Sequence, residues 1–489
     1  MSMNDQTLEL LKGSFKNPLG KAAGNTVTTG SGLVNYDLQA PAKNLYPVIT
    51  MIAKAIARVS GRGGTATNWR QVNSITGSGF DAAGWVPEGQ RAGAMSLSAT
   101  TKSASYVTLG EEGALTFESQ SAAEGFEDER SLTSIRVLQK AMLKEENAIV
   151  GGNASLQLGT PAAPSLSAAG TGATLPAATY SVIVVALTYE GVQNSSLSGG
   201  VATSKTVTGQ DGNTFVINGG SSNKSSNASQ AVTLGQTLTA TATPIQAALG
   251  YAWFVGTAGS ETLQQITTIP AATFSAPLAG SRQAATAITA DCSANPGLAF
   301  DGLLTTALNP ANNAYVKDLA GALLTASSRG TINEIDAMLK QMWDQFRLSP
   351  TVIYVNSQEL QNMTNKALNA SSGPLLRINT DGKEPAVVVA GGVVEWYFNP
   401  FALNGGVKIP VKIHPYLPSG TILCWADNLP AQYQSNEVPN VAEMKLRRDW
   451  YEIEWPLVTR SYQHGIYVEE TLAVYAPFAM GVIKGVGNG

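Results

Sequence analysis

Charge is scarce in this chain. Of its 489 residues only 13% are Asp, Glu, Lys or Arg, about half the share of an ordinary soluble domain. The balance is slightly acidic, 31 basic against 35 acidic side chains for a net −4. That excludes the basic field expected of a sequence-specific nucleic-acid binder. Cysteine is nearly missing too. Cys292 and Cys424 lie far apart with no ligand-like spacing around either, and they read as buried thiols. The two histidines, His414 and His464, have no metal or triad partner nearby in sequence and read as structural. No apolar run reaches the roughly 18 residues of a membrane span. The opening MSMNDQTLELLKGSFKN lacks the basic region and apolar core of a secretion signal, so synthesis and initial residence in a cytoplasm are expected.

Catalytic signatures are missing as well. There is no P-loop, dinucleotide fingerprint, HExxH helix or nucleophile elbow. GRGGT at 61–65 lacks the P-loop lysine and reads as a turn. Glu127, Asp128 and Glu129 could hold a cation, but the first turn of a helix accounts for them without one. EVPNVAEMKLRRDWYEIEW mixes charge with aromatics, as alternating strand faces do. No enzyme activity, cofactor or metal is expected.

What the chain does have is small residues: 49 glycines and abundant Ala, Ser and Thr, suited to short strands, tight turns and close subunit packing. Residues 1–44 read as an arm, with a short helix near 8–16 and then a Gly- and Thr-rich tract unable to fold alone. Ile49, Ile52, Ile56 and Val59 recur at helical spacing within 45–60 and stop at Gly61, which predicts a helix. Residues 65–116 alternate like strands around a loop at EGQRAGAMS. Two arms of about 20 residues at about 3.3 Å each make a ribbon about 60 Å long. A two-stranded ribbon is marginal alone in water, and this one, with few large aliphatic residues, needs a second surface. A neighbouring subunit is the natural candidate.

FEDERSLTSIRVLQKAMLKEENAIVGG is the clearest helix. Acidic residues open it, Leu132, Ile135, Leu138 (or Val137), Met142 and Ile149 form its stripe, and Gly151 and Gly152 stop it. It spans about 35 Å, long enough to be a spine. Composition then shifts. From 155 to 290 the charges are Glu190, Lys205, Asp211, Lys224, Glu261 and Arg282 alone. Segments such as TYSVIVVALTYEG and GYAWFVGTAG read as strands between turns, which predicts an inserted β-sandwich. Its Tyr-led strand, Glu-Gly turn and later aromatic strand resemble immunoglobulin-like or fibronectin-like modules, without a Cys–Trp–Cys signature. Beyond it, 312–327 and 332–346 read as helices, PTVIYVN as a buried strand, and SQELQNMTNKAL as a helix capped by Ser357. The remainder is strand-rich.

The fold class is therefore α+β, and the order of elements resembles the major capsid protein of tailed bacteriophages, the Hong Kong 97-type fold. AGWVPEGQ in the ribbon, YVTLGEEGALTFESQ leading into the spine, LKQMWDQFRLSPTVIYVNSQELQNM, LPSGTILCWADN and the closing YVEETLAVYAPFAMGVIKGV carry the resemblance. It covers 1–152 and 295–489. It implies an N-terminal arm (1–44), the start of a peripheral P-domain (45–64), an extended E-loop (65–116), the P-domain with its spine helix (117–155), the inserted module (156–290), a mainly axial A-domain (291–425) and a return to the P-domain (426–489).

The resemblance also implies a role: hexamers and pentamers tiling an icosahedral head around packaged double-stranded DNA, assembled in a host cytoplasm and ending in the virion. With only about 60 residues before the ribbon, a separate scaffolding protein, or none, is expected; a portal and decoration proteins are further partners. The inserted module would face outward, toward cells, glycans or a decoration partner. Trp69, Trp85, Glu88, Arg91, Lys102, Glu111 and Glu112 become the expected inter-subunit contacts, with covalent crosslinking through Lys102 not expected. The rival readings are an encapsulin-type compartment shell, a β-rich adhesin or tail-fibre protein, and a hydrolase with an accessory sandwich. The helices near 127–150 and 332–346 weigh against the adhesin, and the missing catalytic constellation against the hydrolase.

Overall fold

A computed structural model describes residues 48–77, 84–125, 127–209, 212–327, 330–369, 395–402, 405–429 and 440–488. The expected arm (1–44), with its helix near 8–16, lies outside them, as does most of PAVVVAGGVVEWYF. The described residues form an α+β chain.

The first elements are a short helix, Met51–Ala55, and β1 (Ala57–Ser60). The single helix expected over 45–60 is thus replaced by one helical turn and a strand. Ile56 takes extended backbone, and β1 finds a parallel partner in a strand near the end of the chain, from Ala57↔Glu443 to Ser60↔Leu446. Ile52 and Ile56 are buried either way, so their spacing did not distinguish the two outcomes.

β2 (Ala66–Thr76) and β3 (Ser96–Ser105) form a two-stranded antiparallel ribbon, in register from Ala66↔Ser105 to Thr76↔Ser96. The ladder is about 35 Å long at about 3.3 Å per residue, shorter than the expected 60 Å. The second arm leaves the ribbon at Tyr106. β4 (Val107–Thr116) joins a different sheet because Val107 and Leu115 bury there, whereas β3 has no buried residue.

The spine helix runs Glu129–Gly151, with Asp128 as N-cap accepting from Arg130 N and Ser131 N. Its buried face passes through Val137, Ala141, Leu143, Ile149 and Val150. Ile135, expected in the stripe, is exposed. β4 lies against this helix: a Cβ on Gly113 would stand 2.7 Å from Val137 Cγ2, so the missing side chain permits the close approach.

The inserted module follows: β5 (Ser165–Ala169), β6 (Ala178–Leu187), β7 (Ser204–Thr208), β8 (Thr214–Asn218), β9 (Ala228–Val232), β10 (Thr237–Thr241), β11 (Gly250–Gly256), β12 (Thr262–Thr267) and β13 (Ala271–Phe274). Two sheets, ordered β13-β10-β5 and β12-β11-β6-β9, share one apolar cluster around Trp253, Tyr251, Leu238, Val182 and Val184. β7 and β8 form a separate hairpin.

The rest of the chain supplies β14 (Tyr315–Asp318), β15 (Val352–Val355), β16 (Trp396–Asn399), β17 (Val407–Ile413), β18 (Ile422–Trp425), β19 (Ala442–Glu454), β20 (Ser461–Val474) and β21 (Met480–Lys484). The helix expected at 312–327 is a strand and turns, since β14 pairs in parallel with β21. One sheet is ordered β1-β19-β20-β4, and a six-stranded sheet is ordered β14-β21-β18-β15-β17-β16. The closing segment is thus divided: 467–474 lies on β20 in the sheet with β4 and β19, and β21 joins the six-stranded sheet. Helix Asn333–Phe346 covers one face of the six-stranded sheet through Ile335, Met338, Leu339 and Met342. The other face merges with the spine and its sheet in one cluster containing Trp425, Tyr354, Ile149 and Leu472. No described helix is long and apolar enough to cross a membrane.

Candidate functional site, an exposed ribbon on a cross-braced frame

The residues expected at subunit contacts fall in three places. Trp69 and Lys102 are directly opposed at the ribbon root. The Trp69 ring stands edge-on to Tyr475, centroids 5.4 Å apart, and its buried Nε1 has no hydrogen-bond partner. A cleft of about 360 Å³ opens beside it, lined by Trp69, Lys102, Asp301, Asn309, Asn312 and Thr471.

Trp85, Glu88 and Arg91 lie in the segment between β2 and β3. Every residue from 84 to 98 is exposed, Trp85 by 92% and Met95 by 69%. A turn closed by Gln90 N donating to Pro87 O (3.1 Å), with Gly89 at φ +75°, folds this segment back.

Glu111 and Glu112 are on β4, not the ribbon, and both engage their own chain. Lys144 Nζ is 2.5 Å from Glu111, and the Tyr467 hydroxyl donates to Glu112. The structure thus opposes Trp69 to Lys102, leaves Trp85, Glu88 and Arg91 exposed in the segment between the two strands, and ties the two carboxylates to their own chain.

Behind the ribbon lies a set of buried charges that sequence reasoning missed. Glu146 of the spine is fully buried. It accepts from Ile52 N (2.9 Å) and Ala53 N (2.8 Å), and meets His414 Nε2 at 2.7 Å. Spine, short helix and six-stranded-sheet domain are pinned at one carboxylate. Its neighbour Glu145 pairs with Arg58 on β1, which also reaches Asp449 at 3.1 Å and Glu470 at 3.6 Å. Burial alone would lower the Arg58 guanidinium, but Glu145 beside it outweighs that and holds it above its ordinary value. Burial, then the Glu145 charge, push the Glu470 carboxyl up to about 9. The available signal was phase: Glu145 and Glu146 stand four residues from Ala141 and Met142 and from Ile149 and Val150, on the buried side of the helix.

The inserted module is fixed to this frame. Its two ends meet where Asn295 N donates to Asn153 O (2.8 Å). The Tyr189 hydroxyl donates to Asn147 at 2.9 Å, and its ring fills the space that a side chain on Gly151 would occupy. At the same end of the module, where Leu187 is opposed to Gly250, buried Lys484 Nζ donates to Ile245 O (2.7 Å) and Ala248 O (2.8 Å) and lies 2.9 Å from Asp318. Burial lowers the Lys484 ammonium, with Asp318 opposing. Among the described residues no three metal-ligating side chains converge.

No family model and no curated protein matches the sequence. Solved structures similar to this chain include the capsid of a native GTA particle, at 9% identity and TM-score 0.43, covering 94% of this chain and 99% of that one. The capsid of Myoviridae Phage XM1 is similar at 11% identity and TM-score 0.41, covering 95% and 100%. An encapsulin complex from Synechococcus elongatus is similar at 8% identity and TM-score 0.39, covering 93% of each chain.

Proposed function

We propose that this chain is the major capsid protein of a tailed bacteriophage, a Hong Kong 97-type subunit that assembles into hexamers and pentamers of an icosahedral head. The observation that carries the reading is the ribbon. Fifteen consecutive positions, 84–98, are exposed, and they include Trp85, Val86, Met95 and Leu97. A two-stranded ribbon with those side chains in water is not stable by itself, and an apolar end of this kind marks a protein contact. A second copy of the chain supplies the surface, and repetition of that contact closes a shell. The rigid frame behind the ribbon fits the same role, because a tile must hold its shape while its edges bind.

In this reading the inserted module is immunoglobulin-like and faces outward. Trp69 and Lys102 at the ribbon root, and Trp85, Glu88 and Arg91 at its end, touch neighbouring subunits. Packaged double-stranded DNA is held without sequence preference on the inner face; a portal, decoration proteins and a separate scaffold complete the particle. The test is negative-stain electron microscopy of the purified protein, alone and with its neighbouring genes. Closed polyhedra or capsomers support the proposal. Monomers or rods under both conditions overturn it.

A further inference from the structure

The inserted module holds a groove of about 800 Å³ that runs from the segment 223–227, past Ile183 of β6, to the β11–β12 turn, within the size range of small-ligand sites. At its base is Glu261, only 4% exposed. One carboxylate oxygen, Oε1, accepts from the Ser181 hydroxyl (2.5 Å) and from Gly259 N (3.2 Å). Asn227 Nδ2 donates in turn to Ser181 Oγ at 3.2 Å. The carboxylate is therefore held in one orientation with Oε2 uncommitted.

The wall opposite is equally fixed. Residues 222–225 run beside β6, and serine hydroxyls complete its ladder. Ser222 Oγ accepts from Ala186 N (2.8 Å) and Ser225 Oγ accepts from Val184 N (3.0 Å). Each hydroxyl also donates to the next carbonyl, Asn223 O and Ser226 O. With these side chains used inward, Asn223, Lys224, Ser226 and Asn227 line the groove, with Thr286 and Thr289 across from them. Ile183 and Ile288 add an apolar floor. The charges among the lining residues are one carboxylate and one ammonium.

We propose that this groove binds a neutral carbohydrate. Amides and hydroxyls both donate and accept, as a sugar's hydroxyls require. The free carboxylate oxygen accepts a charge-assisted bond from a sugar hydroxyl, and the isoleucine floor takes a C–H face. The single carboxylate and single ammonium cancel, which leaves no net charge to select an anion or a cation. The biological use of the groove rests on the module facing outward from a shell; the binding itself does not.

The test exposes the full-length protein to an array of neutral, sialylated, sulfated and amino oligosaccharides, alongside Glu261→Gln and Thr286→Trp variants. Thr286 is exposed at the rim, so its tryptophan blocks the groove without touching the buried network. The expected result is selective retention of neutral oligosaccharides, weakened about tenfold by Glu261→Gln, the worth of one charged hydrogen bond, and abolished by Thr286→Trp. Retention of charged glycans only, of none, or equal retention by all three proteins overturns the inference. Microscopy of the same preparations scores shell formation separately, so shells without sugar binding reject the groove alone, and sugar binding without shells rejects the capsid reading alone.

Discussion

His414 Nε2 lies 2.7 Å from Glu146, with both side chains shut off from solvent. The carboxylate also accepts two backbone N–H groups, and an ionised Glu146 takes its third hydrogen bond from the Nε2–H tautomer of the imidazole. Its buried Nδ1 has no hydrogen-bond partner. Truncating Glu146 to Ala strands three donors in the interior. The expected cost is about 3–5 kcal/mol, as for breaking a buried pair from one side, read by urea unfolding. A loss below about 1 kcal/mol would mean that the frame does not depend on this pin.

Glu470 makes stability fall with pH. Its folded pKa, about 9, stands above the ordinary 4.5, so between these values the folded state holds a proton that the unfolded chain has released. Stability is then fully present at the acid end of the window and declines toward its alkaline end. Melting temperatures measured from pH 5 to 9 should decline in the parent and flatten in Glu470→Gln. Parallel curves for the two proteins would refute the assignment.

Gly302 sits where the chain leaves the module and rejoins the spine. A Cβ there would stand 2.7 Å from Ala148 O and 2.8 Å from the backbone nitrogens of Gly151 and Gly152. Backbone cannot swing aside as a side-chain end can, so Gly302→Ala is expected to lower soluble yield sharply. Gly481→Ala, which meets the flexible Met338 side chain at 2.5 Å, should be milder. Expression at matched temperature compares the two.

Trp85→Ala separates folding from assembly. A side chain 92% exposed contributes little to the isolated fold, so the unfolding free energy should change by less than about 0.5 kcal/mol. Particle yield by sedimentation should drop severalfold. Normal yield would remove Trp85 from the contact.

Lys484→Met keeps the bulk and removes the donors to Ile245 O and Ala248 O. Amide exchange at 245–251 should quicken, while β18 and β15 stay protected. Unchanged exchange would show that the module is held by its apolar contacts alone.

Much of the frame is legible in the sequence. The spine helix carries its own N-cap and glycine stop, and both are local signals. The mixed class showed in PTVIYVN, a strand run between two helical periods, and in the strand-rich remainder that follows. What failed depended on distant partners. β1 reads as helix until Glu443 to Leu446 lie beside it. The ribbon seemed longer because alternation marks a strand and not the sheet it joins; the change at Tyr106 depends on β20, some 360 residues later. Glu145 and Glu146 look like solvent-facing charges until Arg58, His414 and Glu470 arrive from other elements. Of the expected contact residues, Glu111 and Glu112 found partners within the chain, at Lys144 and Tyr467, which sequence order alone does not show.

Asn153 and Asn295 bring the module's two ends together, and Tyr189 and Lys484 add two further clamps at the end that meets the frame. A tethered domain would sweep through many orientations; this one is held at a set angle to the tile beneath. Copies on a curved lattice would then present their grooves at a regular pitch and direction. Affinity that is feeble at one groove multiplies when several engage together, provided that the target repeats at a matching interval. The clamp therefore makes such a particle a reader of spacing as well as of chemistry.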